Sequence, residues 1–495
     1  MGLLKLPPEL LLRISAHLTT PELGMFRRSC KSIEAPLFDT FAKEFFTKRQ
    51  FMLENISLQV LVDIANHPSL SRWLTEVIIG LDALVLYRGS PIDASLARYE
   101  AGYIERNIFL ETGQARDMLV DAFSKLPNLR TVGLRDYSGG AADSGRERDG
   151  PEARWRSYGW SSGLDVTADP TALSLARYQS TVWTDPGASF PLIICALGKA
   201  NVKAESIEVF LRRRQAKLAP SSFNVLNGHM LPATTIFVAS LKKLMLTLGA
   251  TEYQHSNDGP EGASLKRFLH HTVNLEYLRL NFEPWQRFAG HFVDWLSQPV
   301  SNSATTSHVP DTPTSPVVLP HLTGLDLGML SVEVSALVNV LTKFDLKSFN
   351  LWKVVIYCKD KAELDQDPDR WSCFFSNLAN ALPASTRLGS VMVGYVSQSL
   401  RQDDGLSQPL RISFASDHVA SKGETKDLLD KIEYRASYGS SVKLWALDTA
   451  TRTSVERPAL SETLSEDEGE SDSEGGFDVE IEEVTDDSDS EEDDA

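Results

Sequence analysis

Apolar residues along this chain fall into two patterns. The first fills the N-terminus, where Leu6 to Lys31 reads LPPELLLRISAHLTTPELGMFRRSCK. Leu10, Ile14 and Leu18 recur every fourth residue, a helical stripe. Pro8 and Glu9 suit a first helical turn, and Leu6 and Leu10 are placed to staple it. Thr20 reads as the N-cap of a second helix opened by Pro21 and Glu22, with Leu23, Phe26 and Cys30 on one face. Pro36 is expected to interrupt before a third short helix carrying Leu37, Phe38, Phe41 and Phe45. Three helices this short cannot bury so much leucine and phenylalanine among themselves, so a partner or the rest of the chain must cover it.

The second pattern is a returning phrase, Leu-x-x-Leu-x-Leu. Strict forms begin at Leu241, Leu275 and Leu322, with a fourth at Leu81 in a competing register. Looser aliphatic forms begin at Leu74, Leu129, Ala204, Leu346 and Leu388. Helical periodicity precedes many of them, over Thr112–Lys125, Ser264–His271, Val332–Lys343 and Arg370–Leu382. The last two apolar residues of a phrase alternate as a strand does, so they point into a stack while their neighbours face out. Repetition of such strand–helix units predicts an irregular leucine-rich-repeat-like α/β solenoid with inserted loops, in preference to an ordinary α/β domain. Its outward residues would include Arg135, Phe210, Met245, Tyr277, Arg279 and Trp352, of which Tyr277 and Arg279 lie inside a strict phrase. Aromatic and Arg side chains there are the kind that anchor interfaces.

The order of residues at the N-terminus resembles the F-box family, through Leu6, Pro7, Glu9, Leu10, Ile14, Leu18, Glu22, Leu23, Arg27, Cys30 and Lys31. Ser29 and Ile33 depart from the family pattern. The resemblance implies a module that docks on the S-phase-kinase-associated adaptor, which links to cullin, while the body holds a protein target for ubiquitin transfer. The expected adaptor-binding residues are Leu6, Pro7, Glu9, Leu10, Ile14, Leu18, Leu23, Arg27 and Cys30. The expected target-binding residues are Tyr277, Arg279, Arg135 and Trp352. The resulting fold class is mixed α+β or α/β: an F-box over 1–50, a repeat domain over 51–455, and an acidic tail over 456–495. The resemblance implies a non-catalytic receptor subunit with no cofactor and no metal.

Charge narrows the choice of partners. The chain has 495 residues and a net charge of −18, and Glu462 to Ala495 holds eighteen acidic residues and no Lys or Arg. Removing those eighteen from 67 acidic residues leaves 49, equal to the 49 Lys and Arg. A neutral body argues against nucleic-acid binding, and the tail is expected to be disordered. Within it Ser465, Ser471, Ser488 and Ser490 each precede an acidic residue by three positions, as acidophilic kinases require. Four scattered cysteines without a Cys-x-x-Cys pair fit a reducing compartment, cytoplasmic or nuclear. No apolar run is long enough to span a bilayer. Ser138–Gly163 and Gln298–Pro320 read as projecting loops too polar to pack, the second holding Thr312-Pro313 and Ser315-Pro316.

Catalytic patterns fail on context. Gly159-Trp160-Ser161-Ser162-Gly163 matches a hydrolase elbow but lacks the strand before it and the helix after it. His270 and His271 are adjacent, so on a helix they diverge and cannot share a metal. Arg212-Arg213-Arg214 with Lys217 reads as a solvated turn, a localisation patch or an acidic-ligand contact. Two other readings stay open: an acidic-tailed repeat scaffold that binds histones or other basic proteins, and a hydrolase built on Ser161.

Overall fold

Each of the eight in-register phrases forms a strand that begins two residues after the phrase does. The computed structural model describes residues 5–81, 94–137, 139, 147–150, 153, 157–159, 185–212, 218–226, 231–249, 260–282, 287–300, 315–357, 369–383, 385–399, 409–416, 428–439 and 441–456. A strand β1 (Lys48–Met52) leads, followed by β2 (Glu76–Gly80), β3 (Thr131–Arg135), β4 (Ser206–Phe210), β5 (Lys243–Leu248), β6 (Tyr277–Phe282) and β7 (Gly324–Gly328). The phrases at Leu346 and Leu388 give β9 (Ser348–Trp352) and β11 (Ser390–Gly394), and β15 (Lys431–Arg435) closes the row. These strands make one ten-stranded sheet in the order β1-β2-β3-β4-β5-β6-β7-β9-β11-β15. Every pair in it is parallel except β11 with β15.

The register follows from the phrase. Val132 stands opposite Ile207, Ile207 opposite Leu244, Leu244 opposite Leu278 and Leu278 opposite Leu325, so the fourth positions form one aliphatic ladder. Leu134, Val209, Leu246, Leu280 and Leu327 form a second, two residues on. All are buried. Parallel sheets are usually covered on both faces, and their strands then read as continuous apolar runs. Beyond β3 the strands largely alternate instead, which leaves that part of one face open, whereas over β1–β3 the same face is covered, with Gln50, Met52 and Ile78 buried. Stacking of one strand per repeat, with sequential neighbours, is the topology of a solenoid.

Helices cover the other face: α4 (Asn55–Asn66), α5 (Ala94–Glu111), α6 (Gln114–Ser124), α7 (Pro186–Ala200), α8 (Leu231–Ser240), α9 (Pro260–His271), α10 (Arg287–Ser297), α11 (Val334–Lys343), α12 (Arg370–Ala381) and α13 (Val442–Arg452). The four segments read as helical from periodicity correspond to α6, α9, α11 and α12. From the seventh strand onward the chain turns a corner before its helix. Met329, Lys353 and Tyr395 stand at φ of 57°, 52° and 52° and redirect the backbone into β8 (Ser331–Glu333), β10 (Val355–Tyr357) and β12 (Ser397–Gln398). Left-handed backbone is costly for side-chain-bearing residues and persists only where the surroundings fix it. Here consecutive repeats fix one another, since the Met329 N–H donates to the Trp352 carbonyl at 2.9 Å and that of Lys353 to the Gly394 carbonyl at 3.0 Å. With β13 (Leu410–Ala415), β14 (Leu428–Leu429) and β16 (Thr453–Val455), these short strands make a second sheet of six.

Before the solenoid stand α1 (Pro8–Ala16), α2 (Thr20–Arg28) and α3 (Lys31–Phe46), which share a small core of Leu11, Leu23, Ile33, Leu37 and Phe45. Three details differ from expectation. Thr19, not Thr20, caps α2: the Glu22 carboxylate accepts its backbone N–H at 2.9 Å and its hydroxyl at 2.8 Å. Leu6 packs with Leu11 in this core, whereas Leu10 is exposed. Pro36 lies inside α3 and does not interrupt it. Proline there forfeits its own bond to the preceding turn and crowds the carbonyl four residues back, and burial of Ile33 and Leu37 on either side holds the helix. The three helices and the solenoid both lie in one compact unit, Met1–Glu456. The acidic tail, Ser161, Thr312, Arg213–Arg214 and all of the competing Leu81 phrase after Leu81 itself fall outside the described residues.

Candidate functional site

Two surfaces carry the residues singled out from the sequence. The first is the outer side of α1 and α2. Helix α1 turns Leu11 and Ser15 inward, so the stripe one position earlier faces away: Leu10 is 42% and Ile14 38% exposed, and Met25 of α2 is 66% exposed. Pro7 and Glu9 are exposed beside them, and Leu6, Leu18 and Cys30 are half-buried. Leu23 is core. Arg27 is not free to recruit a partner on its own. Its guanidinium lies over the Phe41 ring at 3.3 Å and pairs with Glu34 at 3.4 Å, and burial lowers its pKa. It ties α2 to α3.

The described residues of the loop expected to project pack instead, against these helices. Arg148 makes a two-pronged pair with Glu44 of α3 and donates to the carbonyls of Ser15 and Leu18 at 2.8 and 2.7 Å. The Ser15 carbonyl lies in the last turn of α1, where it also accepts the Leu18 N–H at 3.3 Å, and the Leu18 carbonyl stands in the turn beyond. The Asp149 carboxylate accepts the Thr20 N–H at 2.7 Å, at the start of α2. Ten residues on, Tyr158 donates its N–H to the Gln50 carbonyl at 2.9 Å and stacks on Phe51 at 5.7 Å, 13° from parallel. Gln50 in turn donates from its amide to the Ser157 hydroxyl at 2.9 Å. This polar insertion therefore packs because its charges meet complementary helix ends. It holds α1, α2 and α3 to the first strand.

The second surface is the free face of the ten-stranded sheet. The register places Arg135, Phe210, Met245, Tyr277, Arg279 and Trp352 on it, as expected from the phrase. It brings three of them together: Arg135 and Arg279 approach the Phe210 ring at 5.7 and 5.9 Å. Arg212 joins them, lying 3.9 Å from the Tyr137 ring, with its N–H bonded to the Asp136 carboxylate at 2.9 Å. Arg135 also approaches Tyr137, at 5.5 Å. Two expected contact residues are more covered than an open recognition face implies, because Arg135 and Met245 are each only 6% exposed. Tyr277 donates its hydroxyl to Asp326, which also accepts the Asn350 amide at 2.9 Å. Trp352 stands apart from the arginines, edge-on to Tyr395 at 4.7 Å. Beside that pair, a groove of about 390 Å³ runs along the corner, lined by Met329, Lys353, Val355, Tyr395, Ser397 and Arg411.

Sequence reasoning missed Arg148, Asp149, Tyr137 and Tyr395. A Gly-rich charged loop gives no local signal for its partners, and the corner tyrosine follows the phrase where no alternation marks it. Among the described residues, no group of His, Cys, Asp and Glu is arranged to hold a metal ion, and no helix is long and apolar enough to cross a membrane.

No family model matches the chain. No curated protein matches it either. Among solved structures, the leucine-rich repeat-containing protein LegL7 from Legionella pneumophila is similar at 12% identity, over 70% of this chain and 90% of that one, with a TM-score of 0.27. The description of this chain as a strand–helix solenoid rests on its own strand order and register.

Proposed function

We propose that this chain is a non-catalytic substrate receptor of an SCF-type cullin ubiquitin ligase, with a leucine-rich-repeat-like body. The F-box-like helices dock on the S-phase-kinase-associated adaptor, and the free sheet face holds a protein target. The observation that carries this reading is the outward stripe of α1. Leu10 and Ile14 are exposed on a helix whose other side already has its own core, and they occupy F-box positions. An apolar stripe left over after a hairpin has packed is surface held in reserve for a partner. Pro7 and Met25 are exposed as well.

Such a receptor contributes proximity rather than chemistry. Tethering a target beside a separately bound conjugating enzyme raises the effective concentration of its lysines near the ubiquitin thioester. The Arg135, Phe210, Arg279 cluster gives the target face the aromatic and guanidinium groups that dominate interface energetics. The contacts of Arg148, Asp149 and Tyr158 suit this role, because a receptor must hold its two surfaces at a fixed angle. The test is a paired substitution, Leu10→Asp with Ile14→Asp. Both side chains are exposed, so the fold is expected to survive, with unchanged unfolding, while adaptor recovered in co-purification drops at least tenfold. Full recovery of adaptor would remove the F-box assignment.

A further inference from the structure

The segment entering β7 carries Ser315-Pro316, and the receptor reading makes no use of it. Ser315 is half-buried on the helix side of the solenoid. Its carbonyl accepts the indole N–H of Trp295 at 2.9 Å, and its hydroxyl lies 3.5 Å from Nε2 of His270. Basic groups converge on this corner from two helices. Lys343 of α11 donates from Nζ to the Leu296 carbonyl at 2.8 Å, at the end of α10. Its charge acts on His270, as does that of His271. Lys266, one turn before His270, reaches over the Trp295 ring at 5.5 Å. Burial lowers the His270 imidazole below its usual value and pushes the Lys343 ammonium down to about 8. These are partly dehydrated bases whose cationic forms a neighbouring anion would favour.

We propose that Ser315 is a phosphorylation site whose phosphate is received by His270 and Lys343. A proline-directed serine kinase would transfer the γ-phosphoryl group of ATP to Ser315 Oγ. The new O–P bond forms as the bond to the ADP oxygen breaks, and the hydroxyl proton passes to the base of the kinase. The phosphate then stands beside the imidazole, which takes a proton and donates it in a charge-assisted hydrogen bond, while Lys343 supplies the second cation. Pro316 supplies the residue that this kinase class requires after its target. The modified side chain ties α9 and α11 to the strand that carries Asp326, and so braces the middle of the target face. The proposal stands on this corner alone and does not need the adaptor reading.

The test uses the full chain, a proline-directed kinase and magnesium ATP, followed by phosphopeptide mapping and thermal unfolding. The expected result is phosphate on Ser315, absent in Ser315→Ala, and a rise in melting temperature of about 2–4 °C for a domain this large. The rise should vanish after phosphatase treatment. It should also vanish in the His270→Gln, Lys343→Met double variant, and survive in His270→Arg, which keeps a cation. It should be larger at pH 6 than at pH 9, because raising the pH withdraws protons from both bases. Phosphate placed elsewhere, an unchanged or lower melting temperature, or a rise that persists in the double variant would each overturn the proposal. Should the double variant not fold, the His270→Arg result and the pH dependence decide it.

Discussion

Single side chains settle how this molecule holds its ends together, and Arg148 is the clearest case. It answers one carboxylate and two carbonyls at the end of α1, with side-chain exposure of only 11%. Removing it leaves Glu44 and the Leu18 carbonyl without this partner, and breaking a part-buried pair from one side costs more than the pair's net worth. Arg148→Ala should therefore destabilise the compact unit by roughly 2–4 kcal/mol in urea unfolding. Arg148→Lys should recover less than half, because a point charge cannot fork. The histidines give a residue-scale pH dependence. Burial lowers both His270 and His271 below the ordinary imidazole value. The unfolded chain therefore takes up protons first as pH drops through about 6.5, and the native state loses stability from there down to the folded-state values. Unfolding midpoints measured between pH 7.5 and 5 should fall, and His270→Gln with His271→Gln should flatten that fall.

At the level of strands and helices, inward and outward positions of one strand should respond differently. Leu280 is fully buried in the ladder of β6, whereas Arg279 beside it points out. Leu280→Ala should cost about 3 kcal/mol, and Arg279→Ala within about 0.5 kcal/mol of nothing, by chemical denaturation. The same alternation explains what could be read from the chain alone. The phrases from β4 onward were legible because a partly open sheet face imposes a period of two on those strands, and stacking repeats that period at the same register. The outward positions followed directly, so Tyr277, Arg279, Arg135 and Trp352 fell on the right face. Their grouping did not follow. Arg135 meets Arg279 over Phe210 across β3, β4, β5 and β6, and only the pairing order reveals that. The contacts of the insertion were hidden for a related reason. Arg148 and Asp149 lie about 130 residues from the helix ends they satisfy, and a polar loop carries no trace of such a partner.

Across the whole compact unit, the two surfaces differ in chemistry: one is an aliphatic stripe on α1, the other a guanidinium–aromatic cluster on the sheet. If a receptor joins two partners, the two losses must be separable. Phe210→Ala with Arg279→Glu removes the ring between two arginines and reverses one charge, while leaving every residue of the small helical core untouched. Captured proteins that accumulate under proteasome inhibition should then disappear, with adaptor recovery unchanged. Leu10→Asp with Ile14→Asp should do the reverse, losing adaptor and keeping the target. Arg148→Ala gives the third arm. At a temperature where the variant remains folded, it should keep both partners yet transfer less ubiquitin to the bound target. That outcome follows from geometry, because a loosened angle lowers the effective concentration of target lysines without touching either binding surface. Loss of both partners together in either surface variant would mean that the surfaces are one, and the receptor reading would fall with it.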